Sequence, residues 1–204
     1  MEGKRARSCM QTDIQRDRAW LARIRKGDQE SFKQLYATYR PRIYGYLWLQ
    51  LGKDPYKAEE ITQDVFLSVW RNAHTYRAEA SVATRIFSIA HYQALNARRS
   101  QHDHQESLLT EESADGEGQE TLSTSSHENA ILDMLTLSEV FQRLSAQHQA
   151  VLNLVCLQGF SLAEVARILN VPVGTVKSRV NYARRALLAL LRQNREEGAN
   201  IYGQ

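Results

Sequence analysis

The sequence predicts an all-α protein: two small helical bundles joined by a flexible acidic linker, the C-terminal bundle carrying a helix-turn-helix. Three observations lead there. Apolar residues recur at helical spacing, and no stretch shows the strict alternation of a half-buried strand. Residues 101–129 interrupt this pattern with Ser, Thr, Glu and Gly and little apolar content, a composition that buries too little surface to hold a fold. From Ser161 to Leu190, cap, turn and charge placement all agree on a short helix, a tight turn and a second helix.

The elements follow in order. Residues 1–12 are polar and basic and are expected to be disordered. Arg16 to Lys26 predicts a short helix with Trp20, Leu21 and Ile24 inward, ended by Gly27, and Asp28 can cap the next. Phe32, Leu35, Tyr36 and Tyr39 form its core stripe until Pro41 breaks the pattern, and a further helix runs from about Ile43 to Leu51. Asp54-Pro55 starts another, an N-cap acid followed by proline at the first helical position. Its inward stripe is Ala58, Ile61, Val65 and Val69, broadened by Phe66 and Trp70. Asn72 to Ala80 is a loop or broken helix. A last helix spans Ser81 to Arg99, with Val82, Ile86, Ile89 and Ala90 inward, and completes a domain over residues 13–100.

Beyond the 101–129 linker, Ile131, Leu135, Phe141 and Leu144 predict one helix of a second domain, residues 130–194. Gln147 to Gln158 predicts another, with Val151, Leu152, Val155 and Cys156 buried and Gly159 as its stop. Ser161 and Glu164 form a capping box, Asn170 tolerates the left-handed turn, and Pro172 stops the first helix running on. The second helix puts Val176, Val180, Ala183, Leu187 and Leu190 on one stripe. Its other face carries Lys177, Ser178, Arg179, Asn181, Arg184 and Arg185. A helix-turn-helix lays such a helix in the major groove, where Arg and Lys reach guanine edges or phosphates and Asn pairs with adenine. Residues 195–204 are expected to form a disordered tail.

Composition bounds the function. The 204 residues suit one or two small domains. No apolar run approaches the ~18 residues of a membrane helix, and the N-terminus lacks the apolar core of a signal peptide, so no membrane insertion is expected. Cys9 and Cys156 form no close-spaced pair, which suits a reducing, cytoplasmic setting. The net charge of +3 conceals an asymmetry: residues 1–100 hold 18 Lys+Arg against 10 Asp+Glu, residues 101–129 hold none against 8, and residues 130–204 hold 8 against 5. Two basic bodies on an acidic cord suit a polyanion partner.

Catalysis finds little support: there is no phosphate-binding Gly loop, no HExxH and no paired Cys ligands, so no catalytic, cofactor or metal site is assigned. His102 and His104 form a weak metal pair within the linker. Glu59, Glu60 and Asp64 lie on an exposed helix face, where a protein-binding or solvated surface is the better reading. Asn72 to Arg99 mixes Tyr76, Phe87 and Tyr92 with His74, His91, Arg77, Arg85, Arg98 and Arg99. Composition leaves two readings open there: aromatics stacking on unpaired bases while Arg tracks phosphates, or a core Phe87 beneath solvated arginines.

The phrases AEEITQDVFLSVWR and SIAHYQALNARR, the acidic linker and the terminal GTVKSRVNYARRAL together resemble an extracytoplasmic-function (ECF) sigma factor of bacterial RNA polymerase, over about Leu21 to Leu191. The resemblance implies a dissociable initiation subunit, not an enzyme. The helix Ala58–Arg71 would dock on the β′ clamp of core RNA polymerase through Glu59, Glu60, Gln63 and Asp64. The loop Asn72–Ala80 would capture a base flipped from the −10 element, with His74, Tyr76 and Arg77 nearby. Arg85, His91, Tyr92, Asn96, Arg98 and Arg99 would serve −10 reading and melting. The C-terminal domain would read the −35 element as duplex promoter DNA and contact the β flap. Family members are usually held by an anti-sigma factor, often at the membrane. The chain departs from the family in having Arg85-Ile86 for Trp-Leu, Tyr92 for Asn and Asn96 for Asp, which implies an altered −10 preference. Two rivals remain at this level: a stand-alone helix-turn-helix regulator, which lacks an evident dimer helix, and a nucleic-acid enzyme, which lacks a nucleophile or metal constellation.

Overall fold

The computed structural model describes residues 14–77, 79–108 and 139–201. The expectations for residues 1–13, for residues 109–129 of the linker, for the start of the second domain with Ile131 and Leu135, and for residues 202–204 lie outside these. Among the described residues all regular structure is helical. Helix α1 covers residues 14–24, α2 Gln29–Gln50, α3 Pro55–Arg71 and α4 Val82–Leu108. A 3-10 turn, Ala73–Thr75, stands between α3 and α4. A short helical stretch at residues 139–142, α5, precedes α6 (Ala146–Leu152), α7 (Leu162–Leu169) and α8 (Val173–Ile201).

The starts form for the reasons their caps suggest. Asp28 accepts from the Glu30 amide at 3.1 Å and from Ser31 Oγ at 2.7 Å. Asp54 accepts from the amides of Tyr56 and Lys57, both at 3.0 Å, with Pro55 at the first position where no donor is needed.

Four expectations are corrected. Pro41 does not end a helix, because α2 runs through it. Leu35, Tyr39, Ile43, Tyr46 and Leu47 lie on one buried face across it, while Pro41 itself faces solvent, so shared burial outweighs the one lost hydrogen bond. Helix α4 continues past residue 101 to Leu108, so the expected linker begins as helix. Helix α8 likewise continues through the expected tail to Ile201. Cys156 is exposed rather than in the core. Its segment, Asn153–Leu157, is a π turn closed by the Gln158 amide on the Asn153 carbonyl at 2.9 Å. The wider turn rotates Cys156 and Leu157 outward, and Gly159, at φ +75°, brings Phe160 back in.

Helices α1 to α4 enclose Leu21, Leu35, Ile43, Tyr46, Val65, Phe66, Ile86 and Phe87. Helices α6 to α8 enclose Val151, Leu154, Val165, Ile168, Val176 and Ala183. Gln149 ties α6 to α5, its Nε2 donating to the carbonyls of Phe141, Gln142 and Leu144 at 3.1, 3.1 and 2.9 Å.

The two bundles also pack on each other, which a flexible tether did not lead one to expect. Helix α7 lies on α4, and Phe160 meets Phe87 edge to face with centroids 4.9 Å apart. Arg42 donates to the Gln158 carbonyl at 3.0 Å and to its side-chain Oε1 at 3.2 Å. Gln142 donates to the Leu49 carbonyl at 3.0 Å, and Arg167 to that of Glu79 at 3.2 Å.

Candidate nucleic-acid interface

The helix-turn-helix is built as its cap residues require. Ser161 Oγ accepts from the Glu164 amide at 3.3 Å, and Glu164 Oε2 accepts from the Ser161 amide at 2.9 Å. Asn170 sits at φ 52°, ψ 51°, the left-handed position that reverses the chain, and α8 begins at Val173. Val176, Val180 and Ala183 are buried. Lys177, Ser178, Asn181, Arg184 and Arg185 are exposed. Arg179 differs: it is half-buried on the flank towards α4, close enough to His91 that its charge disfavours the imidazolium. The same outer surface presents Tyr182, 63% exposed, together with Val173 and Leu188. The polar-face reading passed over these apolar side chains, whose signal was their place among the charged residues rather than on the core stripe.

The second surface joins the 72–80 loop to α4. A cleft of about 430 Å³ is lined there by Thr75, Tyr76, Arg77, Glu79, Thr84, Arg85 and Ser88, with Arg167 of α7 at its rim. That size falls within the roughly 300–1,000 Å³ of pockets that take small ligands. Tyr76 is half-buried and its hydroxyl donates to the Ala80 carbonyl at 2.7 Å; His74 and Arg77 are exposed. Arg85 folds back on the loop, donating to the Asn72 carbonyl at 3.1 Å and to Thr75 Oγ1 at 2.5 Å. Along α4, Tyr92 is 65% exposed, and Asn96 and Arg99 are exposed. Phe87 is core, as the blander of the two readings had it.

His91 and Arg98 are half-buried. The Tyr46 hydroxyl lies 2.8 Å from His91 Nδ1. Burial, reinforced by Arg179 and Arg98, pushes the His91 imidazole down to about 4. Burial also lowers the Arg98 guanidinium from its ordinary value.

The third surface is the outer face of α3. Glu60, Gln63 and Asp64 are exposed, whereas Glu59 is half-buried and paired with Arg40 at 2.8 Å. Tyr56, 86% exposed, and Leu67, 47% exposed, extend the stripe at i, i+4, i+7 and i+11 with Glu60 and Gln63. Sequence reasoning missed these two. The periodicity that marks them is the helical one, displaced from the core stripe by half a turn. A stripe mixing apolar and charged groups fits a protein contact better than plain solvation.

Two family models match where these surfaces lie: Sigma-70 region 2 over residues 35–103 and Sigma-70, region 4 over residues 134–187. The ECF RNA polymerase sigma factor SigL of Mycobacterium tuberculosis is 32% identical over 162 residues, which cover 79% of this chain and 89% of the relative. This chain belongs to the ECF sigma factors. The ECF sigma factor SigW of Bacillus subtilis is 28% identical, over 84% of this chain and 95% of that protein.

Two solved chains share the fold. The sigma factor RpoE of Bartonella quintana, in complex with the anti-sigma factor NepR, matches with a TM-score of 0.64 at 22% identity, over 80% of this chain and 98% of that one. CnrH, in complex with the cytosolic domain of CnrY, matches with a TM-score of 0.65 at 20% identity, over 87% and 98%. The helix-turn-helix of this sigma factor thus lies in its region 4, and the loop, α4 and most of the N-terminal bundle lie in its region 2. Among the described residues, no helix is long and apolar enough to cross a membrane.

Proposed function

We propose that this sigma factor binds core RNA polymerase dissociably and directs initiation at promoters that its two DNA-reading surfaces select together. The observation that supports this most is the pairing, in one chain, of a cleft walled by Tyr76, Arg77 and Arg85 with a capped helix-turn-helix whose second helix exposes Lys177, Ser178, Asn181, Arg184 and Arg185. The first suits a single unstacked base of the −10 element; the second suits the major groove of the −35 element. Tyr92, Asn96 and Arg99 extend the −10 surface along α4. The α3 stripe of Tyr56, Glu60, Gln63, Asp64 and Leu67 suits the β′ clamp, and the C-terminal domain also meets the β flap. The protein works in the cytoplasm and is held in check by an anti-sigma factor, itself membrane-associated.

The two bundles form a closed arrangement. Elements 25 base pairs apart lie about 85 Å apart at 3.4 Å per pair. The −10 loop and the helix-turn-helix instead touch, Arg167 on the Glu79 carbonyl at 3.2 Å. Promoter reading therefore requires the bundles to part.

Run-off transcription with purified core RNA polymerase, with and without the protein, on a pool of the host's promoter fragments tests the reading. Protein-dependent transcripts with defined starts are expected. Failure to bind core, with tight operator binding by the free protein, would replace it with a stand-alone regulator.

A further inference from the structure

We propose that Arg85 is a positioning residue: it shapes the base-capturing loop and so sets which base the loop accepts, instead of gripping DNA itself. The inference rests on the −10 reading above and goes beyond it, because that reading counted Arg85 among the DNA contacts. Its guanidinium is already engaged. One terminal nitrogen donates both to the Asn72 carbonyl, at 3.1 Å, and to Thr75 Oγ1, at 2.5 Å. The Thr75 hydroxyl donates its own proton to the Asn72 carbonyl at 2.8 Å, so a lone pair is left to receive Arg85.

Asn72 is the C-cap of α3, and its carbonyl also takes the Thr75 amide at 3.1 Å. A cation at that end of a helix is favoured by the carbonyl dipoles it meets. The guanidinium carbon stands 5.9 Å from the centroid of the Tyr76 ring, a wall of the cleft. The ring is also tethered through its hydroxyl, which donates to the Ala80 carbonyl at 2.7 Å. Arg85 thus joins the end of α3, the 3-10 turn and α4 at one point. Removing it frees the turn and the ring together, while His74 and Arg77 remain exposed for phosphates. A lysine supplies the charge without the planar fork, and is expected to hold the turn in part.

The test uses holoenzyme reconstituted from core polymerase with the wild type, Arg85→Ala or Arg85→Lys. The probes are fluorescent single-stranded oligonucleotides of the −10 non-template strand, each position varied through the four bases. Two quantities are read: the affinity ratio between best and worst base, and the slope of log affinity against log salt. A brace predicts that Arg85→Ala lowers the ratio about tenfold, the size of one lost base discrimination, with the slope unchanged and Arg85→Lys intermediate. A slope reduced by about 0.7 with the ratio intact makes Arg85 a phosphate contact and overturns the proposal. No change in either quantity overturns it too. Thermal melts establish that each variant is folded; if the alanine variant is not, the lysine variant carries the same comparison. A wild-type holoenzyme without any base preference defeats the capture reading itself, and that result is seen before any variant is compared.

Discussion

Arg42 of α2 holds Gln158, at the end of the π turn, by two hydrogen bonds of 3.0 and 3.2 Å across the boundary between the bundles. Its guanidinium also stands 5.4 Å from the ring of Phe87 and 5.8 Å from those of Phe160 and Tyr39. Arg42→Ala removes a charged donor and its ring contacts together, and is expected to weaken the closed arrangement by about 1–3 kcal/mol. Dyes on exposed positions of α3 and α8 should report a longer mean distance in the free protein. Run-off transcription by the holoenzyme should not change if, as proposed, promoter reading parts the bundles. An unchanged dye distance would show that Arg42 does not hold the bundles together.

His91 makes stability depend on pH. It is surrounded by Tyr46 of α2, Arg98 of its own helix and Arg179 of α8, and is pushed down to about 4 from an ordinary 6.5. The unfolded chain therefore binds a proton that the folded one refuses between those values. Its contribution is fully present above about pH 6.5 and is lost as pH falls towards 4, by up to about 3 kcal/mol. Urea midpoints at pH 7 and 5 measure this. In His91→Gln, whose amide can donate to or accept from the Tyr46 hydroxyl, the two midpoints should lie closer together than in the wild type. Equal sensitivity in both would remove His91 from the account.

The turn of the helix-turn-helix depends on Asn170 at φ 52°. Asn170→Val is expected to cost about 1–2 kcal/mol, because a β-branched side chain is strained there, while Asn170→Gly should cost little. Ser161→Ala should cost about 1 kcal/mol through the lost cap. Thermal unfolding ranks the three; a valine variant as stable as the glycine one would contradict the geometry.

On the outer face of α3, Leu67 is half exposed and can change without opening the core. Leu67→Asp should leave the melting temperature unchanged and weaken binding to core polymerase roughly tenfold or more, read by fluorescence anisotropy. Undiminished binding would move the core contact off this face.

Much of this was legible in the chain itself, for local reasons. Asp28, Asp54-Pro55, Ser161 with Glu164, and Asn170 mark their helix ends through bonds that span four residues or fewer, so residue order alone determines them. The core stripes of α3 and α8 follow from helical spacing in the same way. The basic outer face of α8 needed no more than that spacing and the charges on it. What only the tertiary structure decided is wherever distant segments compete for a residue. Pro41 stays helical because Tyr39 and Ile43 on either side of it are both drawn into one core. Cys156 leaves its stripe because the π turn adds a residue to the helical period. Arg85 folds back onto the loop because the Asn72 carbonyl and Thr75 hydroxyl lie within its reach, and Arg179 lies against α4 because Phe160 and Phe87 bring the bundles together. Periodicity specifies which face of a helix is buried, but the partner that buries it is specified only by the packing of the whole chain.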